Sequence, residues 1–175
     1  MLLNLFILLL SVTASHSKKD SLLDWNSNRR LTWDDFKAQP DGSSVNAALT
    51  STNINIDFSY NNRDFKYKLR CSFDPNKSWG RVKTDYILGH EQAHFDIAEI
   101  HARILNRELK KYKFNQRTAS KDIGEIYNKV MQMHHEMQEK YDDETNYSRN
   151  EKRQKDWNEF IGKTLTDLQA FSNYK

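Results

Sequence analysis

The sequence predicts an α+β fold: a small N-terminal antiparallel sheet packed on a long helix, with two further long helices after it. Three observations carry this. Between Leu22 and Trp79 short runs alternate apolar and polar residues, the period of half-buried strands. From Thr84 onward apolar residues recur at three- and four-residue steps, the period of helices with one buried face. Between the two regimes stands Asp74-Pro75-Asn76, a cluster of turn-forming residues.

Taken in order, the chain opens with residues 2–10, apolar except for Asn4, followed by small residues and then by Lys18 and Lys19. About 13 residues of this kind fall short of the roughly 20 that a membrane-crossing helix needs, so the segment reads as a signal peptide over 1–17. The expectation is a secreted or periplasmic protein with no membrane span after cleavage; the alternative is an uncleaved N-terminal membrane anchor. Residues 18–175 are then of one-domain length. Ile54-Asn55-Ile56-Asp57-Phe58 and Phe65-Lys66-Tyr67-Lys68-Leu69 pair across the polar turn 59–64 as a hairpin, with Cys71 and Phe73 extending the second strand. The first helix runs from Thr84 to about Tyr112, the second carries Ile123 to Tyr141, and the third carries Trp157 to Leu168, with a loop over 142–150. Trp33, Trp79 and Trp157 read as core residues.

Composition narrows the function. With 27 Lys+Arg against 24 Asp+Glu the net charge is only +3, which lacks the basic footprint of a nucleic-acid binder. The single cysteine, Cys71, rules out both an intrachain disulfide and a thiolate zinc cage, so any metal site must draw on His, carboxylate or Tyr oxygen.

Within the first long helix lies His90-Glu91-Gln92-Ala93-His94. Four residues along a helix are about 400° of rotation and about 6 Å of rise, so both imidazoles share one face. Two histidines so placed can each give a nitrogen to one Zn²⁺, while Glu91, about 100° round from His90, flanks the ion and reaches a zinc-bound water. Zinc acidifies that water, Glu91 accepts its proton as general base, and the same carboxylate later protonates the leaving amine. The chemistry this pattern points to is hydrolysis of a protein or peptide substrate. Gly89, just before the first His, is costly inside a helix and suggests a close approach there.

A catalytic zinc needs a third protein ligand. His101 lies about 16 Å along the axis from His90, too far for the same ion, and reads as an interhelical histidine. Glu99 points away, and Ile100 stands where a metzincin would supply its third His. Candidates remain in Tyr141-Asp142-Asp143-Glu144-Thr145-Asn146-Tyr147 and in the pair His134-His135, of which His134 sits on its helix's apolar stripe.

The run from Ile87 to Glu99, with Leu31-Thr32-Trp33-Asp34-Asp35-Phe36 and Ala48-Leu49-Thr50 before it and Tyr141-Asp142-Asp143-Glu144-Thr145 after it, resembles bacterial secreted proteins of domain-of-unknown-function family 922, which are predicted zinc-dependent proteases. The resemblance spans nearly the whole chain after the signal peptide and implies a zincin-like fold. It also implies a third zinc ligand in the downstream block, where the family carries a His and this chain carries Tyr147, followed by Ser148. On that ground Tyr147 is expected as the third ligand, with Glu144 next. The expected function is a secreted zinc metallopeptidase; the alternative is a non-catalytic zinc-binding or interaction domain with an altered third ligand.

Overall fold

The computed structural model describes residues 22–174. The signal peptide expected over 1–17 lies outside them. Five strands precede three helices: β1 (Leu23–Asp24), β2 (Ala48–Leu49), β3 (Thr52–Tyr60), β4 (Phe65–Phe73), β5 (Trp79–Gly80), α1 (Asp85–Lys111), α2 (Ala119–Thr145) and α3 (Glu151–Asp167). The fold is α+β with small antiparallel sheets and three helices. No helix among the described residues is long and apolar enough to cross a membrane.

The expected hairpin is the β3–β4 pair, with Thr52 opposite Phe73 and Tyr60 opposite Phe65. That register sets Ile54 against Cys71, Ile56 against Leu69 and Phe58 against Tyr67, so one face of the ribbon is apolar throughout. This face packs on α1 through a core that includes Phe73, Phe95, Ala98, Ala102 and Leu105. β1 adds to the other edge of β4. Asp74-Pro75-Asn76 does not end the strands: β5 follows and pairs with β2 as a separate two-stranded sheet. Strands of two residues are too short to show a period. Gly80 is the glycine that permits a close approach, since a Cβ there would lie 2.5 Å from the Trp33 ring. Gly89, expected in that role, has open space beside it.

Helix α1 starts at Thr84, whose hydroxyl accepts from the Ile87 amide, and its last turn carries Lys110 and Lys111 where cations suit the dipole. It is buried almost all round through its middle because the sheet covers one side and α2 and α3 cover the other. On the sheet side Gln92 accepts from the Leu31 amide at 2.7 Å and Trp25 donates to Asp96 at 2.8 Å, which tie the N-terminal segment to the helix. On the other side Ala93, Ile97 and Ile100 pack with Tyr141, Trp157 and Ile161. His101 is fully buried and meets the His134 ring edge-on between α1 and α2, as its position suggested.

Helix α2 corrects one expectation. The acidic stretch after Tyr141 is not a loop; the helix continues to Thr145 and closes on Asn146 in the left-handed conformation. Tyr141 explains why. Its ring is fully buried, stacked on His90 and edge-on to His94 and Trp157. Burying an aromatic of that size outweighs the poor helix propensity of Asp-Asp and Thr.

Candidate metal centre

His90 and His94 sit one turn apart on the side of α1 that faces the end of α2 and the start of α3. Their Nε2 atoms are 3.3 Å apart, and Asp142 Oδ1, from α2, lies 3.1 Å from each. This His-His-Asp cluster is the one group of three or more His, Cys or acidic residues among those described with ligand atoms close enough to share an ion. The position follows from the helix extension. Once α2 runs past Tyr141, the next residue turns toward α1, while Tyr141 anchors the register behind it.

Both imidazoles are oriented from the back. His90 Nδ1 is 2.8 Å from Gln154 Oε1 and His94 Nδ1 is 2.5 Å from Gln138 Oε1. Each glutamine is itself fixed by its amide group. Gln154 donates to the Tyr141 hydroxyl at 2.6 Å and to Asn158 at 2.9 Å. Gln138 donates to the His94 carbonyl and to His134 Nε2, both at 2.9 Å. Because these acceptors take the amide hydrogens, the carbonyl oxygens must face the histidines, which makes each Nδ1 a donor and leaves each Nε2 facing Asp142, where it donates to the carboxylate or, once deprotonated, can offer its lone pair to a metal.

The electrostatics agree with a tightly coupled centre. Burial opposes charge on Asp142, yet the hydrogen bonds and charge of His90 and His94 hold its carboxyl well below the usual range. Burial likewise opposes protonation of His94, but Asp142, Glu91 and Gln138 together raise it above its ordinary value. Behind them His134 is pushed down to about 4 by burial, helped by the neighbouring histidines. His134 therefore serves as a neutral acceptor for Gln138, and His135, exposed and 3.1 Å from Glu139, plays no part in the cluster.

Glu91 is buried beside the cluster, and its Oε2 has no hydrogen-bond partner. An unpaired buried carboxylate oxygen is costly unless a water, an ion or a ligand lies beside it. It borders a cavity of about 40 Å³ that is also lined by Ala48, Ile87, His90, His94, Asp142 and Tyr147. Of the downstream residues singled out in the sequence, Tyr147 reaches the cavity wall but makes no hydrogen bond to either histidine. Glu144 turns away: its carboxylate pairs with Arg153 and accepts from Trp157 Nε1 between α2 and α3.

The donor set can be tested for fit to zinc. Tetrahedral Zn²⁺ with bonds of about 2.0–2.1 Å has ligand atoms about 3.3 Å apart, against separations of 3.1, 3.1 and 3.3 Å here. Two imidazoles and one carboxylate are a zinc donor set that leaves one position open. With both Nδ1 atoms donating to glutamine, loss of the Nε2 protons would direct two imidazole lone pairs and a carboxylate oxygen at one point, where a metal cation would receive them. The residues fit.

No curated protein and no solved structure matches this chain. Residues 14–151, which carry His90, Glu91, His94, Asp142 and Tyr147 but not Gln154, match the family described as "Bacterial protein of unknown function (DUF922)". The chain belongs to this bacterial family.

Proposed function

We propose that this chain is an exported zinc-dependent peptidase of zincin-like arrangement, with His90, His94 and Asp142 as protein ligands and Glu91 as general base. The observation that carries the reading is the convergence of two imidazole nitrogens and a carboxylate oxygen within 3.3 Å of one another beside a buried carboxylate oxygen that has no partner among the described residues. Zinc held there would supply a Lewis acid that acidifies water and polarises a peptide carbonyl. Glu91 takes the proton from a water in the cavity and delivers it to the departing amine. Asp142 balances the positive charge of the site, while Gln138 and Gln154 hold the two imidazoles in the ligating tautomer. Tyr141, stacked on His90, fills the space behind the histidines and excludes water from that side.

The sequence reading of Tyr147 as third ligand gives way here to Asp142, because the carboxylate oxygen meets both histidines and the phenol meets neither. A non-catalytic zinc-binding domain is the competing reading, supported by Tyr147 standing where the family resemblance implies a His. Glu91→Gln separates the two. It should retain zinc and lose about 10²–10⁴-fold in peptide turnover, the contribution of a positioned acid–base group. Equal turnover in wild type and variant, or none in a zinc-loaded wild type, would leave the non-catalytic reading.

A further inference from the structure

The hairpin carries a second surface, away from the candidate metal centre. β3 is an outer strand, with β4 on one side and no strand among the described residues on the other. The Asp74 amide donates to the Ser51 carbonyl at one end of the hairpin and the Asn61 amide to the Asp64 carbonyl at the other. Bonded and non-bonded pairs alternate in an antiparallel ladder, so the odd-numbered residues of β3 bond to β4 and the even-numbered ones turn their N–H and C=O outward. The outward carbonyl of Ile54 accepts from the Tyr127 hydroxyl of α2 at 2.9 Å. No hydrogen bond from the described residues reaches the outward groups of Ile56, Phe58 and Tyr60. That stretch is open to solvent. Residues 57–60 are all exposed, Phe58 by 37% and Tyr60 by 41%. The described chain starts and ends on the opposite edge, where β1 pairs with β4 and the Leu69 amide donates to the Tyr174 carbonyl.

Outer strands are normally blunted by Lys, Pro, a bulge or a covering element, because a row of unpaired N–H and C=O groups pairs with any strand that approaches. Residues 52–60 contain no Lys, Arg or Pro, their register with β4 runs without a bulge, and their one charge is Asp57. On the apolar face the Phe58 and Tyr60 rings stack with centroids 6.4 Å apart, beside Phe65 and Phe114. On the polar face stand two cations of β4, Lys66 opposite Ser59 and Lys68 opposite Asp57. The edge is complementary to itself. In antiparallel pairing, a two-fold axis through Phe58 is the one placement that maps the three open residues onto one another. Moving the axis to Asp57 would oppose that carboxylate to the partner's Asp57, and moving it to Ile56 would call on Ile54, whose carbonyl Tyr127 holds.

We propose that β3 is the interface of a homodimer, in which two copies of this chain join their sheets edge to edge about a two-fold axis at Phe58. Phe58 then meets the partner's Phe58 and Ile56 meets the partner's Tyr60, with about six main-chain hydrogen bonds between them. Asp57 meets the partner's Ser59, whose hydroxyl donates to the carboxylate. Across the polar face the order Lys68, Asp57, the partner's Ser59, the partner's Lys66 keeps like charges apart. So short a contact makes a weak dimer that depends on concentration. Tyr112 packs edge-on against Phe65, which puts the interface by the C-terminal end of α1, about 27 Å along that helix from His94. Both candidate metal centres therefore stay open, and the dimer is independent of the peptidase reading.

Sedimentation equilibrium of the purified protein, from micromolar to millimolar chain, should show monomer passing to dimer and no larger species. Ser59→Asp lies at an exposed position opposite Lys66 of its own sheet, so the fold is kept while symmetry creates two contacts with the partner's Asp57. It should weaken the dimer about tenfold. Phe58→Lys, the blunting that natural edges use, should abolish dimerisation while circular dichroism stays native. Register is read by cross-linking. Chains carrying Asp57→Cys, mixed with chains carrying Ser59→Cys, should give the mixed disulfide in preference to either symmetric one, since opposed Cα atoms about 4.5 Å apart suit a disulfide; Cys71 is fully buried and stays out of the reaction. A monomer at every concentration overturns the proposal, as does a dimer that neither Ser59→Asp nor Phe58→Lys weakens. Asp57→Cys chains that link to one another as readily as to Ser59→Cys chains overturn the axis at Phe58.

Discussion

Replacing Asp142 by Asn keeps the shape of the side chain and removes its charge, so it isolates what the carboxylate does for the metal. A four-ligand structural zinc is worth about 10–16 kcal/mol at neutral pH, or about 2.5–4 kcal/mol per ligand. Asp142 Oδ1 lies 3.1 Å from each imidazole nitrogen, so the carboxylate counts as a full ligand. Its loss should raise the zinc dissociation constant by about 10²–10³-fold. The metal-free protein should also suffer, because the charged hydrogen bonds from His90 and His94 to Asp142 disappear. With 29% of the Asp142 side chain exposed, solvent screening limits that cost to about 1–2 kcal/mol. Competition with a chromophoric chelator measures the first effect and urea unfolding of metal-free protein the second. An unchanged zinc affinity in Asp142→Asn, with a large loss in Tyr147→Phe, would refute the geometric argument and return Tyr147 to the ligand set.

Gln138→Met and Gln154→Met keep side-chain length but lose the oxygen that accepts from the imidazole, and each should weaken zinc binding by about 10–100-fold; titration of each variant that yields the wild-type affinity would mean that packing alone orients the histidines. His134, held down to about 4, is neutral in the folded chain while its unfolded form protonates near 6.5. The stability this contributes is complete above about pH 6.5 and is lost as pH falls toward 4, by at most about 3 kcal/mol. Urea midpoints followed over that range should therefore fall more steeply in metal-free wild type than in His134→Gln, and parallel curves would contradict the assignment.

Much of the frame is legible in the sequence because it rests on local periodicity. The alternation in 54–58 and 65–69 fixes both the hairpin and its face, and the stripe through Ile87, His90, His94 and Ile97 fixes α1 and the shared direction of the two histidines. Asp142 was harder to see. Asp-Asp-Glu-Thr-Asn has the composition of a loop, and only the burial of Tyr141 against His90 and Trp157, a tertiary effect, keeps the segment helical. One signal was present: His134, Gln138 and Asp142 are spaced by four, which on a helix extended past Tyr141 makes a polar stripe facing His94. Gln154 had no comparable signal, since its role depends on how α3 returns to α1 after a turn of left-handed residues. The β2–β5 pair, two residues on each side, exists through Trp79, Gly80 and Trp33 packing and leaves no pattern in the chain.

The central claim is that His90, His94 and Asp142 hold one zinc ion. Elemental analysis of the protein purified from its own host without a metal-affinity tag and without added metal tests it most directly. The account predicts about one zinc per chain, lost from both His90→Ala and His94→Ala while their circular dichroism stays native. A wild type free of zinc even after incubation with the ion, or equal zinc in wild type and both variants, would contradict it.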